Sequence, residues 1–247
     1  MQNYRLIISC PDQTGIVAQI SGLIAKYNGW IMEADQHSDF ENNWFFMRYE
    51  IKMDSIKQQI GAFTEDFEHL AQQLNIEWHL VDPTIPKKVL LLASRTSHCL
   101  MEILHRVASH DLFCEIQAVI SNHDLLQTHV EKLNIPYHLL SKRPDASMLA
   151  ELFSNYQPDV IVLARYMQLI PEDLCRQYRG KIINIHHSFL PSFAGSDPYQ
   201  KAFDRGVKLI GATSHYVTPD LDQGPIISQD VIEISHRDSK NDLIREG

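Results

Sequence analysis

The feature that most constrains the fold is an alternation of short apolar runs and longer amphipathic stretches from Val89 onward. The apolar runs predict buried strands, and the spacing of apolar residues between them predicts helices. Strands that alternate with helices pair in parallel through right-handed crossovers. This part of the chain is therefore predicted to be an α/β, Rossmann-like domain with a mostly parallel, doubly wound sheet. The predicted strands cover residues 89–94, 115–121, 137–140, 160–164 and 182 onward, with helices at 97–110, 124–133, 147–157 and 171–178.

The pattern continues to the end of the sequence. Asp197 precedes Pro198, a pair typical of a helix N-cap and first helical position. The last helix is expected to be incomplete, because the sequence stops at Gly247 inside it. The predicted elements of this part are a helix at 198–206, strands at 208–218 and 226–234, and a helix at 238–245.

The first 84 residues follow a different pattern. Their predicted elements are a strand at 4–9, a helix at 16–27, strands at 30–38 and 44–53, a helix at 55–74 and a strand at 76–81. This βαββαβ order is that of ferredoxin-like domains, and Gly29 is expected to end the first helix. The stretch Asp82–Lys88 contains two prolines, and acidic residues clearly outnumber basic ones only before it. The predicted domains are therefore residues 1–84 and 85–247.

Composition limits the classes of protein to consider. The chain has 247 residues, of which 44% are hydrophobic and 21% charged, as in soluble globular proteins. Its formal net charge of -9 argues against nucleic acid as a partner, which requires clustered Lys and Arg. No secretory signal or membrane-spanning apolar run is visible, so no membrane association and a cytoplasmic location are expected. The scattered cysteines predict neither disulfides nor a zinc site.

The strongest candidate for a chemical site is the strand that begins at Ile182. It starts as an apolar run and reaches Pro191, so it is expected to end at a loop. Asn184 and His186 are two residues apart and therefore project to the same face. In open α/β sheets, ligands bind beyond the carboxyl ends of strands. A second polar cluster, at residues 211–225, adds a carboxylate at Asp222.

Asn184, His186 and Asp222 could together hydrolyse or transfer an acyl group. An amide N–H can stabilise an oxyanion, an imidazole can move a proton, and a carboxylate can orient or activate a nucleophile. No serine lies in a G-x-S-x-G motif, and no cysteine lies beside a partner base, so attack by water or a bound amine is expected. H-E-x-x-H is absent, and His186 and His187 are predicted to face opposite sides of the strand. No metal is therefore expected, and His187 is assigned a structural role.

Four motifs carry a resemblance to a known family. Their sequences and spacing are similar to those of folate-dependent formyltransferase-fold enzymes, and most specifically to formyltetrahydrofolate deformylases. The first 84 residues, with the turn PDQTGIV at residues 11–17, resemble an ACT domain, which gives the domain order of that family. The resemblance covers nearly the whole chain. The four motifs are LARYMQ (163–168), INIHHSFLP (183–191), GATSHYV (211–217) and LDQGPII (221–227).

The resemblance implies a role for each catalytic candidate. Asn184 would donate a hydrogen bond to the formyl oxygen, and His186 would act as general acid and base. Asp222 would position and activate the attacking water or raise the basicity of His186. His215 would support the other three residues.

The resemblance also implies how the folate is held. The backbone of a loop at 165–169 would bind the pterin ring, and a loop at 217–222 would close over it. No separate cofactor is expected, because 10-formyltetrahydrofolate is the substrate. Arg95, Arg165 and Lys142-Arg143 are candidates for binding its glutamate tail. The folate-binding residues implied in this way are Arg165, Tyr166, Met167, Gln168, Leu169, Val217 and Asp220.

The acceptor of the formyl group distinguishes the enzymes of this superfamily. A transferase acting on glycinamide ribonucleotide needs a phosphate site, usually a glycine-rich turn after the first strand. The corresponding turn, Ala93–Cys99, contains no glycine, and the acidic chain lacks a basic surface for tRNA. The expected reaction is therefore hydrolysis to formate and tetrahydrofolate, which would supply formate for purine biosynthesis and balance one-carbon pools. Formyl transfer to an amine, or a catalytically silent folate- or amino-acid-binding sensor, remains an alternative.

The ACT resemblance implies regulation of the enzyme by a small amino acid. Asp12, Gly15 and Asn28–Trp30 lie where such ligands tend to bind in these domains. Glycine or methionine is the expected effector, because both are connected to one-carbon metabolism, and a homo-oligomer is expected. The alternative for this domain is a purely oligomerising role.

Overall fold

The computed structural model of the chain describes residues 2–140, 146–192 and 197–246, and the side chain of Glu246 is not described. Lys142 and Arg143, two candidates for binding the glutamate tail, lie outside these ranges. Contacts divide the chain into two compact units, Met1–Ile85 and Pro86–Gly247, next to the predicted boundary between residues 84 and 85. Within the described ranges, every helix is too short or too polar to cross a membrane.

The first unit is a four-stranded antiparallel sheet with helices packed against it. The strand order is β2-β3-β1-β4, so the two central strands are the first and third in the chain. The order of its main elements is the predicted βαββαβ. The elements are β1 (Asn3–Pro11), α1 (Ile16–Lys26), β2 (Ile31–Asp39), β3 (Trp44–Lys52), α2 (Met53–Ile56), a 3-10 turn (Lys57–Gln59), α3 (Ile60–Leu74) and β4 (Glu77–Val81).

Alternating residues of β1 form the centre of this unit's core. Tyr4, Leu6, Ile8 and Cys10 are buried on one face of the strand, as the period of two requires. The helices cover this face with apolar residues at helical spacing. These helix residues are Ile16, Ile20 and Ile24 of α1 and Phe63, Phe67 and Ala71 of α3.

Two local predictions in this unit were wrong. The helix predicted at 55–74 is interrupted by the 3-10 turn, whose three exposed polar residues give no buried side chain to hold a regular helical turn. Asn28, not Gly29, takes the left-handed conformation after α1, with φ of 56°. Gly29 is required for a different reason. A Cβ at this position would lie 2.6 Å from Cγ2 of Ile24, so only glycine allows this close approach.

The second unit is built around a seven-stranded sheet. Its strand order is β11-β10-β9-β8-β5-β6-β7. The elements are β5 (Lys87–Ala93), α4 (His98–Ala108), β6 (Cys114–Ser121), α5 (Gln127–Glu131), β7 (Tyr137–Leu139), α6 (Ala146–Tyr156), β8 (Val160–Ala164), α7 (Glu172–Gln177), β9 (Ile182–His186), α8 (Pro198–Arg205), β10 (Leu209–Tyr216), β11 (Ile226–Glu233) and α9 (Lys240–Glu246).

The α/β fold with a mostly parallel sheet is confirmed, and the sheet is mixed. Strands β5 to β9 pair in parallel, whereas β10 pairs antiparallel with both β9 and β11. The apolar run Val89–Ala93 of β5 is buried throughout because helices cover both faces of a central parallel strand. The loops after β5, β8 and β9 therefore emerge at the same edge of the sheet, where ligands usually bind.

Two helix starts in this unit differ from the sequence prediction. The helix predicted at 124–133 is only α5, at Gln127–Glu131. Asp197 stands at the N-cap of α8, but its side chain makes no capping hydrogen bond, because its backbone is left-handed with φ of 54°. The Asp197 carboxylate instead lies 3.4 Å from Nζ of Lys240, which connects the starts of α8 and α9.

Candidate active site

The register of two strands brings the first polar residues together. Asn184 and His186 project from the same face near the end of β9, as predicted from their spacing. Strand β10 runs antiparallel beside them, and its His215 lies directly opposite Asn184. The imidazole of His215 is thereby placed next to the amide of Asn184.

Asp222 reaches the same place from the loop after β10. Its Oδ2 lies 3.5 Å from Nδ1 of His186, and its Oδ1 lies 3.7 Å from Nε2 of His215. All three side chains are buried. The backbone of Asp222 is left-handed, with φ of 56°, a conformation that residues other than glycine rarely adopt. Such strain is typical of functional positions, where the surrounding structure holds it.

The hydrogen bonds of His215 fix the orientation of the Asn184 amide. Nδ1 of His215 lies 3.0 Å from the carbonyl oxygen of Tyr216, which can only accept, so Nδ1 carries the proton. In the neutral ring, Nε2 is then an acceptor. It accepts a hydrogen bond from Nδ2 of Asn184 at 3.2 Å. The second N–H of this amide remains available to a ligand.

The loop that carries Asp222 is held by close backbone contacts. The N–H of Tyr216 donates to the carbonyl of Pro225 at 2.9 Å, and that of Val217 donates to the carbonyl of Ile182 at 2.9 Å. Gly224 packs against the end of β10. A Cβ at this position would lie 1.7 Å from the carbonyl oxygen of Tyr216, so the path of the loop requires glycine.

A polar network behind the site was not predicted from the sequence. The buried hydroxyl of Thr213 donates to the carbonyl of Ser188 at 2.8 Å and accepts from the N–H of Leu190 at 3.0 Å. Nε2 of Gln229 contacts the same hydroxyl and donates to the carbonyl of Leu190. This network holds the chain just after His186. The sequence contained one signal for this network, which is the polar residue Thr213 at an inward-facing position of β10.

A cleft opens beside these residues, lined mainly by two loops. The loop at 165–169 and the loop at 217–222 face each other across it, with the end of β9 at its base. Ten of the eleven predicted site residues line the cleft. Asp220 does not line it, because it is exposed and its carbonyl instead accepts a hydrogen bond from the hydroxyl of Thr218. The ten are Asn184, His186, Asp222, His215, Arg165, Tyr166, Met167, Gln168, Leu169 and Val217.

The loop at 165–169 is anchored to a neighbouring strand end. The N–H of Met167 donates to the hydroxyl of Ser94, which follows β5, at 3.0 Å. That hydroxyl in turn donates to Oδ1 of Asn122, which follows β6, at 2.8 Å. Both Ser94 and Asn122 are buried. The first turn after β5 therefore supports the cleft with side chains, and neither residue was predicted as a site residue.

His187 lines the cleft together with His186, so the prediction that the two side chains face opposite sides of the strand is wrong. Its ring centroid lies 5.3 Å from that of His186 and 5.4 Å from that of Tyr199. The prediction assumed strand alternation, but β9 ends at His186, so His187 is no longer forced to the opposite face. Burial, with the positive charge of Arg165, lowers the pKa of His187 to about 4, so the ring is neutral near pH 7.

Tyr166 contributes a second buried polar atom. Its side chain is 6% exposed, and burial raises the pKa of its phenol to about 12. Its hydroxyl hydrogen bonds to none of the residues in the described ranges. In these ranges, no three His, Cys, Asp or Glu side chains are arranged so that they could hold a metal ion.

The arrangement suits reactions at a carbonyl carbon. An oriented amide N–H, an imidazole and a carboxylate converge in a buried setting, where such groups act more strongly than in water. The N–H can stabilise a developing oxyanion, and His186 with Asp222 can move protons and activate a nucleophile. The apolar side chains of the two loops can hold a flat organic group beside them.

Comparison with known proteins identifies relatives of the whole chain. The profile of the family described as "Formyl transferase" matches residues 87–247. The chain is 43% identical to a formyltetrahydrofolate deformylase of Synechocystis sp., over 100% of the chain and 89% of the relative. It is 42% identical to that of Bacillus subtilis, over 97% of the chain and 82% of the relative. The crystal structure of a formyltetrahydrofolate deformylase from Pseudomonas syringae superposes with a TM-score of 0.95 at 50% identity, over 100% of this chain and 84% of that one.

Proposed function

The chain belongs to the formyltetrahydrofolate deformylases of the formyl transferase family, and we propose that Asn184, His186 and Asp222 perform their reaction here. The enzyme hydrolyses 10-formyltetrahydrofolate to formate and tetrahydrofolate. The observation that carries the residue assignment is the position of the Asp222 carboxylate, 3.5 Å from the His186 ring and 3.7 Å from the His215 ring. It supports a single reaction centre assembled from three parts of the sequence.

Asn184 is the proposed oxyanion donor. Its amide is held by Nε2 of His215, so one N–H is fixed and the other can meet the formyl oxygen. A donor whose orientation is fixed in advance costs no reorganisation when negative charge develops on that oxygen. His215 therefore acts as a positioning residue for Asn184.

His186 and Asp222 are the proposed proton-transfer pair. Water attacks the formyl carbon while a base removes its proton, and the departing nitrogen receives a proton as the C–N bond breaks. The carboxylate of Asp222 is proposed to orient that water, and its charge stabilises a protonated His186 at 3.5 Å. His186 then returns the proton to the nitrogen.

The two loops are proposed to hold the folate. Met167, Leu169 and Leu221 are 63%, 73% and 58% exposed, an unusual number of large apolar side chains for one rim. Such a rim suits the flat rings of a folate, and the backbone of residues 165–169 would meet the edge of the pterin. Ser94 holds this backbone through Met167. Folate contacts at Asp220 would use its backbone.

Water is the proposed acceptor of the formyl group. The turn after β5 carries Ser94, whose hydroxyl is already engaged by Met167 and Asn122, and no glycine. This turn therefore lacks the glycine-rich backbone that usually presents several N–H groups to a phosphate. A substrate that carries both an amine and a phosphate would lack its usual phosphate-binding site. This supports hydrolysis over formyl transfer.

The first unit is proposed to be an ACT domain that senses glycine or methionine. Its βαββαβ order and its sheet order β2-β3-β1-β4 support this. A shallow pocket lined by Asp12, Gly15, Ser21 and neighbouring residues is the proposed effector site, whereas Asn28–Trp30 do not line it. We further propose a cytoplasmic homo-oligomer that supplies formate for purine biosynthesis.

The experiment that tests the proposed function is a formate-release assay on 10-formyltetrahydrofolate with no amine present. Sustained formate release is the expected result. If the formyl group leaves only after an amine acceptor is added, the chain is a transferase. Repeating the assay with glycine and with methionine tests the effector proposal, because either amino acid should change the rate only if the first unit binds it.

A further inference from the structure

Arg165 is an isolated cation in the wall of the cleft. Among the described residues that line the cleft it is the single Lys or Arg, and Glu172, Asp197 and Asp222 are the acidic ones. Nε of Arg165 is sealed from solvent and hydrogen bonds to no residue in the described ranges. Leaving a buried N–H of a charged guanidinium without an acceptor is unfavourable, although Arg165 as a whole is only partly buried. The site therefore favours an anion as ligand.

The charge of Arg165 acts on three neighbouring groups. Burial raises the pKa of the Cys99 thiol and of the Tyr199 phenol, and in both cases the charge of Arg165 opposes that rise. The same charge helps to lower the pKa of His187. These residues belong to α4, α8 and the segment after β9. Arg165, His187 and His186 all line the cleft, so the guanidinium and the proposed reaction centre share one cavity.

His187 supplies a second donor at this place. As a neutral imidazole it has one N–H donor and one acceptor. Its ring lies between His186 on one side and Tyr199 on the other. The ring of His187 is therefore next to His186 in the cleft that Arg165 also lines.

We propose that Arg165 and His187 form a subsite for the formate anion, the second product of the reaction. This inference rests on the proposed function. Water adds to the formyl carbon, the C–N bond breaks, and its electron pair and one proton pass to the nitrogen. The remaining formic acid loses a proton and leaves as an anion of charge -1. The anion forms beside His186, in the cleft that His187 and Arg165 also line.

The chemistry of the two side chains matches a small carboxylate. A guanidinium can donate two parallel hydrogen bonds to the two oxygens of a carboxylate. The N–H of His187 can donate a third. The rings of His186 and Tyr199 border this position, which favours formate over carboxylates with a larger substituent. A glutamate carboxylate of the folate tail carries the same charge, so the test separates these two sources.

The test measures formate binding to the intact enzyme without turnover, by titration with ¹³C-labelled formate in the presence of tetrahydrofolate. Arg165→Asn removes the charge but tolerates the left-handed backbone of this position, where φ is 60°. His187→Gln removes the ring, and Arg179→Gln is the control at an exposed arginine outside the cleft. We expect about tenfold or more weaker formate binding in Arg165→Asn, since a charged hydrogen bond is lost. His187→Gln should weaken binding less, and Arg179→Gln should not change it.

Equal formate binding in the wild type and Arg165→Asn, or no saturable binding to the wild type, would overturn the inference. Formate and the glutamate tail are distinguished as ligands of Arg165 by measuring KM for a substrate that lacks the glutamate tail. If Arg165→Asn raises the KM of the full substrate, leaves that of the tail-less substrate unchanged and leaves formate binding intact, Arg165 binds the tail instead. Binding needs no catalysis, so an inactive enzyme that binds formate through Arg165 would contradict only the proposed function.

Discussion

Nδ1 of His186 lies 3.5 Å from Oδ2 of Asp222, although the two residues belong to a strand end and to a distant loop. The contact depends on the antiparallel pairing of β9 with β10, which carries the chain back to the site, and on the left-handed backbone of Asp222. His215 lies between the two segments and contacts both Asn184 and Asp222. The proposed reaction centre therefore depends on the fold, and changes to the loop path should affect it as strongly as changes to the proposed reacting groups.

Replacing Asn184 by Ala should remove the oxyanion donor. We expect kcat for formate release to fall by about 100-fold to 1,000-fold, as for other single oxyanion donors, with little change in folate affinity. Steady-state kinetics together with a tetrahydrofolate binding titration measures both quantities. Asn155→Ala, at an exposed position of α6, is the control and should leave both unchanged. A large loss of folate affinity in Asn184→Ala would mean that the amide holds the ring system instead.

Replacing His215 by Phe should act through Asn184. Phenylalanine keeps a ring in the buried site but removes the acceptor that holds the amide at 3.2 Å. We expect kcat to fall by about tenfold while KM changes little, because a misplaced donor weakens only transition-state binding. In a double-mutant cycle, the substitution should have little further effect in an Asn184→Ala background. Fully additive losses would show that His215 acts independently of Asn184.

Replacing Gly224 by Ala should displace the loop that carries Asp222. The new Cβ would lie 1.7 Å from a backbone oxygen, so the chain must move. We expect both lower thermal stability and loss of most formate release. Gly22→Ala in α1 is the matched control, because its Cβ meets nothing within 4 Å, and removing a mid-helix glycine should stabilise by up to about 1 kcal/mol. Normal turnover in Gly224→Ala would mean that the loop path does not control Asp222.

Replacing His187 by Gln should change how stability depends on pH. Burial and the charge of Arg165 lower the folded-state pKa of His187 to about 4, against 6.5 in an unfolded chain. As the pH falls from about 6.5 to about 4, the unfolded state binds this proton and the folded state does not, so stability is lost over that window. The full difference would correspond to about 3 kcal/mol, and solvent screening of this partly buried ring makes the expected loss smaller.

Urea unfolding near pH 7 and near pH 4.5 measures this effect. The variant should lose less stability than the wild type between the two values, whereas His236→Gln, at an exposed position, should behave as the wild type does. Equal losses in the wild type and in His187→Gln would contradict the assignment of a buried neutral imidazole.

Several of these features could be predicted from the sequence because simple periodicities govern them. Asn184 and His186 project from the same face of β9 because side chains alternate along a strand. The alternation of strands and helices predicts most of the parallel part of the sheet. His187 was misplaced because the same period was extended past the end of β9 at His186. The period of two applies only as long as the backbone remains in a strand. Tertiary contacts determine where the strand ends.

Other features depend on contacts between distant residues. The network of Thr213 with Ser188, Leu190 and Gln229 joins three segments, and nothing local to Thr213 indicates its partners. Asp222 and Asp220 lie in one short loop, and both were expected at the folate site. Only Asp222 turns inward, because of its left-handed backbone and the contact of Gly224 with Tyr216. Such close approaches cannot be predicted from residue spacing.

The most direct test of the account is formate release by Asp222→Asn, measured with no amine present and alongside tetrahydrofolate binding. Asparagine keeps the size of the side chain and removes the charge beside His186. The account predicts a loss of formate release of about 100-fold to 10,000-fold with folate affinity retained. Near-normal formate release by Asp222→Asn would contradict the account, because the carboxylate would then have no part in activating water.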